Sequence, residues 1–284
     1  MKLSQTRIAI ALAVLVVTSS GCGLVNRIRA KNELNEAART YREGHFDEAE
    51  QHSRRALELD PSSKTAPSFI ARTIHAQYRP GVQSPENLAK AEQAIQAYHQ
   101  ILQKDPKNEE AYKAIAYLYG ATKQEDKLRS WISARANDTS AEPEKRAEAY
   151  IVLASKDWDC SFKITELPAN KTTTLNAGNR ASVSYKKPSD QKEFDNARAC
   201  VKRGLEEIEN AIKLDPNSES AWSYKTNLLL EASKLAEMDG KADQKAELDK
   251  QREVAQKRTN VLSEANQKKK EEEEAKKAAS PAKK

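Results

Sequence analysis

Apolar residues in this chain recur with the 3.6-residue period of helices that bury one face. Leu34, Ala37, Ala38 and Tyr41 mark a first helix and Phe46, Ala49, Ala56 and Leu57 a second, with Gly44 as the permissive backbone between them. "RRALELDPSS" at 54–63 then returns as "HQILQKDPKN" at 99–108 and "ENAIKLDPNS" at 209–218. Each is an apolar pair stopped by Asp-Pro, and Pro61, Pro106 and Pro216 cannot continue a helix because proline lacks the N–H the ladder needs. The pattern therefore predicts one helical hairpin written several times.

The later copies are less regular. "SKTAPSFIARTIHAQY" and "AKAEQAIQAYHQILQKDP", with Ala94, Tyr98 and Leu102, form a second pair across the loop "RPGVQSPEN". Residues 109–137 form a third, with Tyr112, Ile115, Ala116 and Tyr119 followed by Leu128, Trp131 and Ile132. A fourth is split: "EKRAEAYIVLASKDW" and "FDNARACVKRGLEEIENAIKLDP" flank residues 159–188, which are rich in Thr, Ser and Asn. There "FKI" and "ASVSY" alternate apolar and polar positions, as a small β hairpin or an ordered loop would. "SESAWSYKTNLLLEASKLAEMDG", carrying Trp222, opens a fifth pair. A charged helix to about 265, with the sparse stripe Ala246, Val254, Val261 and Leu262, closes it as a capping element with a polar outer face. Residues 266–284 offer little to bury and are expected to be disordered.

Composition supports an all-α reading: the 284 residues include only 8 Gly, while 32% are charged. The net charge of +6 does not imply nucleic-acid binding. Lys2 and Arg7 in the leader and the lysine excess of the last 19 residues account for five of the six charges, so no basic face is implied.

Residues 1–21 read as an export signal: the basic "MKLSQTR", the apolar run "IAIALAVLVV" at 8–17, and a small-residue exit. Ten apolar residues are too few to span a bilayer core of about 30 Å. The following "SSGC" resembles a bacterial lipobox, which implies lipidation of Cys22, although Ser19 stands where an aliphatic residue is usual; the plain alternative is a signal that is cut and lost. Residues 22–29 then read as anchor and linker. With Cys22 committed, Cys160 and Cys200 remain in a chain bound for a disulfide-permissive compartment. They are expected to pair, the alternative being two separately buried thiols.

Residues 30–63 resemble a tetratricopeptide repeat through Gly44, Phe46, Ala49, Ala56 and Pro61. Ala37, Ser53 and Glu33 depart from the usual Gly, aromatic and Trp. The likeness, traced over about 30–265, implies an α-solenoid of about five hairpins interrupted by the 159–188 insertion. It also implies a concave groove on first-helix positions, which here include Tyr41, Arg42, Arg72, His75, Lys113, Tyr117, Trp158 and Asn227. The implied occupant is a protein or peptide.

No motif points to catalysis. The four His stand apart without zinc-site spacing, no phosphate loop or dinucleotide fingerprint occurs, and Asp157 and Asp159 read as polar residues ending a helix. The expectation is a non-enzymatic scaffold without cofactor or metal, lipid-anchored in the bacterial envelope at the outer membrane facing the periplasm. It would resemble the repeat lipoproteins of outer-membrane assembly, secretion or pilus biogenesis. A glycan- or nutrient-binding lipoprotein is the alternative, and the oligomeric state stays open.

Overall fold

The computed structural model describes residues 23–175 and 181–279, with side chains to residue 277. The leader and Cys22 lie outside the described residues. Ten α-helices and one two-stranded ribbon are present among them: α1 (23–42), α2 (Phe46–Leu59), α3 (Ala66–Gln77), α4 (Pro85–Lys104), α5 (Glu109–Ala121), α6 (Glu125–Asn137), α7 (Pro143–Thr165), β1 (Lys171–Leu175), β2 (Ala181–Tyr185), α8 (Gln191–Leu214), α9 (Glu219–Met238) and α10 (Ala242–Ala279). The fold is an all-α helical repeat with a small strand insertion. The chain divides into two compact units, Met1–Leu128 and Arg129–Lys284.

The three Asp-Pro segments fold alike. Asp60, Asp105 and Asp215 sit at the C-caps of α2, α4 and α8 with φ/ψ of −133/86, −135/83 and −137/89 degrees. The third residue after each Asp returns a backbone bond to it, and its side chain accepts from the amide three residues further on. Ser63 Oγ accepts from the Ala66 amide, Asn108 Oδ1 from Ala111 and Ser218 Oγ from Ala221, at 3.0–3.2 Å. After Asp105 and Asp215 the segment is thus a stop and restart in four residues, with Asn108 and Ser218 as N-caps, whereas after Asp60 the next helix starts two residues later, at Ala66.

The tight turns between paired helices use another device. Gly44, Lys123 and Gly240 have φ of +83, +59 and +71 degrees, and the following amides bond back to Thr40, Tyr119 and Ala236. A left-handed residue just past a helix end satisfies its last carbonyls in this way, at no steric cost only for glycine.

In the N-terminal unit α2, α3, α4 and α5 pack in sequence. Ala30, Ala56 and Ala66, with Leu34, Leu57 and Leu59 around them, fasten α1, α2 and the start of α3. Asn87 holds the α3–α4 loop by accepting from the Arg79 amide and donating to the Arg79 and Val82 carbonyls. Ala49 on α2 is fully buried. Ala49→Leu adds three carbons where none fit, and is expected to cost about 1–3 kcal/mol. Thermal unfolding followed by far-UV circular dichroism checks this, and an unchanged midpoint would contradict the inward register of Ala49.

In the C-terminal unit α7 packs on α8 and α9, α8 on α9, and α9 on α10. Three boundaries differ from the sequence reading. Residues 23–29 belong to α1 and form no linker. The insertion begins after Thr165, because "FKI" (162–164) is the last turn of α7, where Ser161 and Thr165 face a buried carboxylate on α9. The strand partner of "ASVSY" is therefore "KTTTL", antiparallel, pairing Lys171 with Tyr185 and Leu175 with Ala181. Residues 266–279, read as disordered, continue α10. Ala, Lys and Glu lose little on joining a helix that is already nucleated, and Glu272 and Glu273 precede Lys276 and Lys277 by four residues.

Candidate functional site

In the N-terminal unit, α1, α3, α4 and α5 each contribute to a recess of about 300 Å³ lined by Tyr41, Arg72, His75, Tyr98, Tyr117 and the Tyr78–Pro80 corner. Spacing places the aromatics: His75 lies one turn after Arg72 on α3, and Pro80 ends the extended run that sends Tyr78 inward. Tyr78 is buried and its hydroxyl donates to the Ala121 carbonyl at 3.0 Å, fixing the floor. The His75 ring stands edge-on to Tyr98 at 5.9 Å and tilted against Tyr117 at 5.5 Å, with Nδ1 3.3 Å from the Tyr98 hydroxyl. Tyr41 leans on Phe46 at 5.2 Å.

The electrostatics are set by burial and one ion pair. Burial lowers the His75 pKa, so the ring is neutral at pH 7, and burial pushes the Tyr98 hydroxyl up to about 12. Arg72 meets Glu110 through both of its forked nitrogens, holding that carboxyl below its usual range. The recess thus offers two exposed tyrosine faces, Tyr41 at 37% and Tyr117 at 50%, beside an exposed guanidinium–carboxylate pair. Such a surface stacks on rings and bonds to main-chain amides.

Of the expected groove residues, Tyr41, Arg72, His75 and Tyr117 come together. Arg42 and Lys113 are on α1 and α5 but do not line the recess. Trp158 and Asn227 belong to the C-terminal unit. Trp158 flanks its core, with Phe162 at 4.9 Å and Tyr224 at 6.3 Å, and Asn227 is half-buried on α9. The sequence reading missed Tyr78 and Glu110; Tyr98, read as a packing residue of its helix, is indeed buried and also edges the recess. The available signal was the density of tyrosines on helices whose alanines already supply the close packing.

Two buried polar clusters organise the C-terminal unit, and neither is visible in the sequence pattern. Asp157 does not end a helix: it is 2% exposed in the middle of α7 and accepts from Arg129 on α6 at 3.0 Å and Arg203 on α8 at 2.8 Å. Asp159 is the solvent-facing member, paired with Lys163. Glu207 on α8 also takes a bond from Arg129, at 2.6 Å. In the second cluster, Glu231 on α9 bonds Ser161, Thr165 and Lys234, and Lys234 reaches Glu166, which also accepts from Lys171 and the Tyr185 hydroxyl. The ribbon is thereby tied to α7 and α9. Cys160 and Cys200 form a disulfide, Cα atoms 6.2 Å apart, joining α7 to α8.

Burial, reinforced by the Asp157 carboxylate and opposed by Arg129, pushes Glu207 up to about 8 from its ordinary 4.5. Between those values the folded chain holds a proton that the unfolded chain has lost, so rising pH weakens the fold. Glu166 is the opposite case: the Lys171 and Lys234 bonds lower it to about 2, and its contribution disappears as pH falls from 4.5 toward 2. All three tryptophans, Trp131, Trp158 and Trp222, lie in this unit. Their fluorescence is expected to show stability declining from about pH 5 to pH 9, with Glu207→Gln flattening the decline. A wild-type profile already flat over that range would contradict the assignment.

Among the described residues no cluster of His, Cys, Asp and Glu could hold a metal ion, and no helix is long and apolar enough to cross a membrane. Residues 201–232, in α8 and α9, match the protein prenyltransferase alpha subunit repeat family. No curated protein matches the chain. Among solved structures it is similar to MamA (residues 41 to the end) from Desulfovibrio magneticus RS-1, at 14% identity and a TM-score of 0.37 over 78% of this chain and 94% of that one. It is also similar to a tetratricopeptide repeat protein from Parabacteroides merdae, at 12% identity and a TM-score of 0.35 over 83% and 99%. Similarity at this level does not bear on what the chain binds.

Proposed function

We propose that this chain is a non-enzymatic scaffold of the bacterial cell envelope, anchored through a lipid on Cys22 and presenting the Tyr41–Arg72–His75–Tyr117 recess to a protein or peptide partner. The observation that carries the reading is the convergence of exposed tyrosines from α1 and α5 beside Arg72 and His75. Tyrosine and arginine dominate interface hot spots because they bury large areas at low entropic cost while keeping directional bonds. Export is supported by the sequence of residues 1–22, and the Cys160–Cys200 bond is of a kind that persists in oxidising compartments. An outer-membrane location facing the periplasm, in an assembly, secretion or pilus pathway, extends the same reading.

The test is affinity isolation of the full chain from detergent-solubilised envelopes, beside Tyr117→Ala and Arg72→Ala. A stoichiometric protein partner lost about tenfold or more in Tyr117→Ala is expected, since hot-spot truncations exceed about 1–2 kcal/mol. Retention on polysaccharide with no protein recovered would favour a glycan-binding lipoprotein. Metabolic labelling with a radioactive fatty acid, present in wild type and absent in Cys22→Ser, tests the anchor separately.

A further inference from the structure

The one strongly apolar outward patch on α1 lies at its beginning. The helix packs inward through Ala30, Ala37 and Thr40, all buried. At about 100° per residue, Leu24, Val25 and Ile28 fall on the opposite side. They are 64%, 48% and 56% exposed. Farther along, the same side carries the exposed polar Asn32 and Asn35, so the patch is confined to the first two turns.

Its surroundings select an occupant. Arg27, Arg29 and Lys31 flank the patch and are exposed, and no Asp or Glu precedes Glu33 in the whole chain. The 22 residues preceding α1 include the apolar run 8–17 and end at Cys22, directly before the helix. A chain held in a bilayer at residue 22 keeps residues 23–28 within about 9 Å of that point, at 1.5 Å per helical residue. That matches the roughly 5–10 Å to which the apolar face of an interfacial helix sinks below the headgroups.

We infer that the first two turns of α1 lie in the headgroup region of an anionic bilayer, with Leu24, Val25 and Ile28 facing the acyl chains and Arg27, Arg29 and Lys31 facing the lipid phosphates. The inference rests on the anchored reading of residues 1–22 and deepens it. The folded unit is seated on the membrane by α1 and does not swing on a tether. The lipid holds the chain to the bilayer, and a basic apolar helix end adds interfacial and electrostatic binding that fixes how the folded unit sits on it.

Depth measurement by spin labelling decides it. Full chain expressed with its leader carries a nitroxide at Ile28→Cys, or at Val261→Cys on α10 as an aqueous reference, in vesicles of phosphatidylethanolamine and phosphatidylglycerol. At residue 28 collisions with dissolved oxygen should exceed those with a soluble nickel chelate severalfold relative to residue 261. Equal nickel access at both positions overturns the inference. So does spin–spin broadening at residue 28, because a second copy would then be covering the patch. The mass of the N-terminal peptide is read on the same sample. A lipidated Cys22 with a water-exposed residue 28 defeats only this inference, whereas an unmodified Cys22 defeats the lipid anchor while the depth at 28 still decides where α1 lies.

Discussion

Replacing Glu231 by Ala is expected to destabilise the C-terminal unit by about 3–5 kcal/mol, the range for breaking a buried ion pair by removing one partner. The carboxylate is fully buried and accepts from Ser161 Oγ at 3.0 Å, Thr165 Oγ1 at 2.7 Å and Lys234 Nζ at 2.6 Å. Lys234 is itself buried between the rings of Phe162 and Tyr185. Burial alone would lower its pKa, and the bonds to Glu166 and Glu231 more than reverse this. Truncation leaves the Ser161 hydroxyl without its acceptor, Thr165 with only the Phe162 carbonyl at 3.5 Å, and an ammonium with half its neutralisation. Urea unfolding followed by tryptophan fluorescence measures the loss. Adding Lys234→Met should recover part of it, because the cost lies in the stranded charge; a loss below about 1 kcal/mol in the single variant would contradict the account.

The second large effect is expected from the disulfide. Cys160 and Cys200 are 40 residues apart, and their bond closes a loop that holds the whole insertion. Chain entropy for a loop of this size predicts about 4 kcal/mol lost in Cys160→Ser/Cys200→Ser. Cys200 is 1% exposed and Arg203 Nη2 lies 3.2 Å from its sulfur, so the serine variant also alters a packed contact on α8. The same urea measurement on oxidised protein, reduced protein and the double variant checks this. Equal midpoints for oxidised and reduced protein would show that the helices alone fix the geometry.

The helical hairpins were legible because proline, glycine and alanine act locally. An Asp-Pro stop constrains its own backbone whatever packs around it, and Asp60, Asp105 and Asp215 accordingly share one conformation. Half of the candidate site was legible for a related reason: Tyr41, Arg72, His75 and Tyr117 sit on one side of first helices, and helical spacing brings them to one recess. Asp157 and Glu231 were not legible. Charged residues in charged helices read as solvent-facing, and only the packing of neighbouring helices brings Arg129 and Arg203 to Asp157, and Ser161 and Thr165 to Glu231. The fate of "FKI" followed the same tertiary logic. Its alternation suited a strand, but Ser161 and Thr165 on either side serve Glu231 and hold the segment in α7.

A photoactivatable phenylalanine analogue at Tyr117 in the full chain, cross-linked in living cells, tests the binding recess most directly. One discrete protein adduct is expected from position 117 and none from position 261 on the exposed side of α10. Adducts from position 261 of the same size and yield, or only unmodified protein from position 117, would contradict a recess that holds a protein partner.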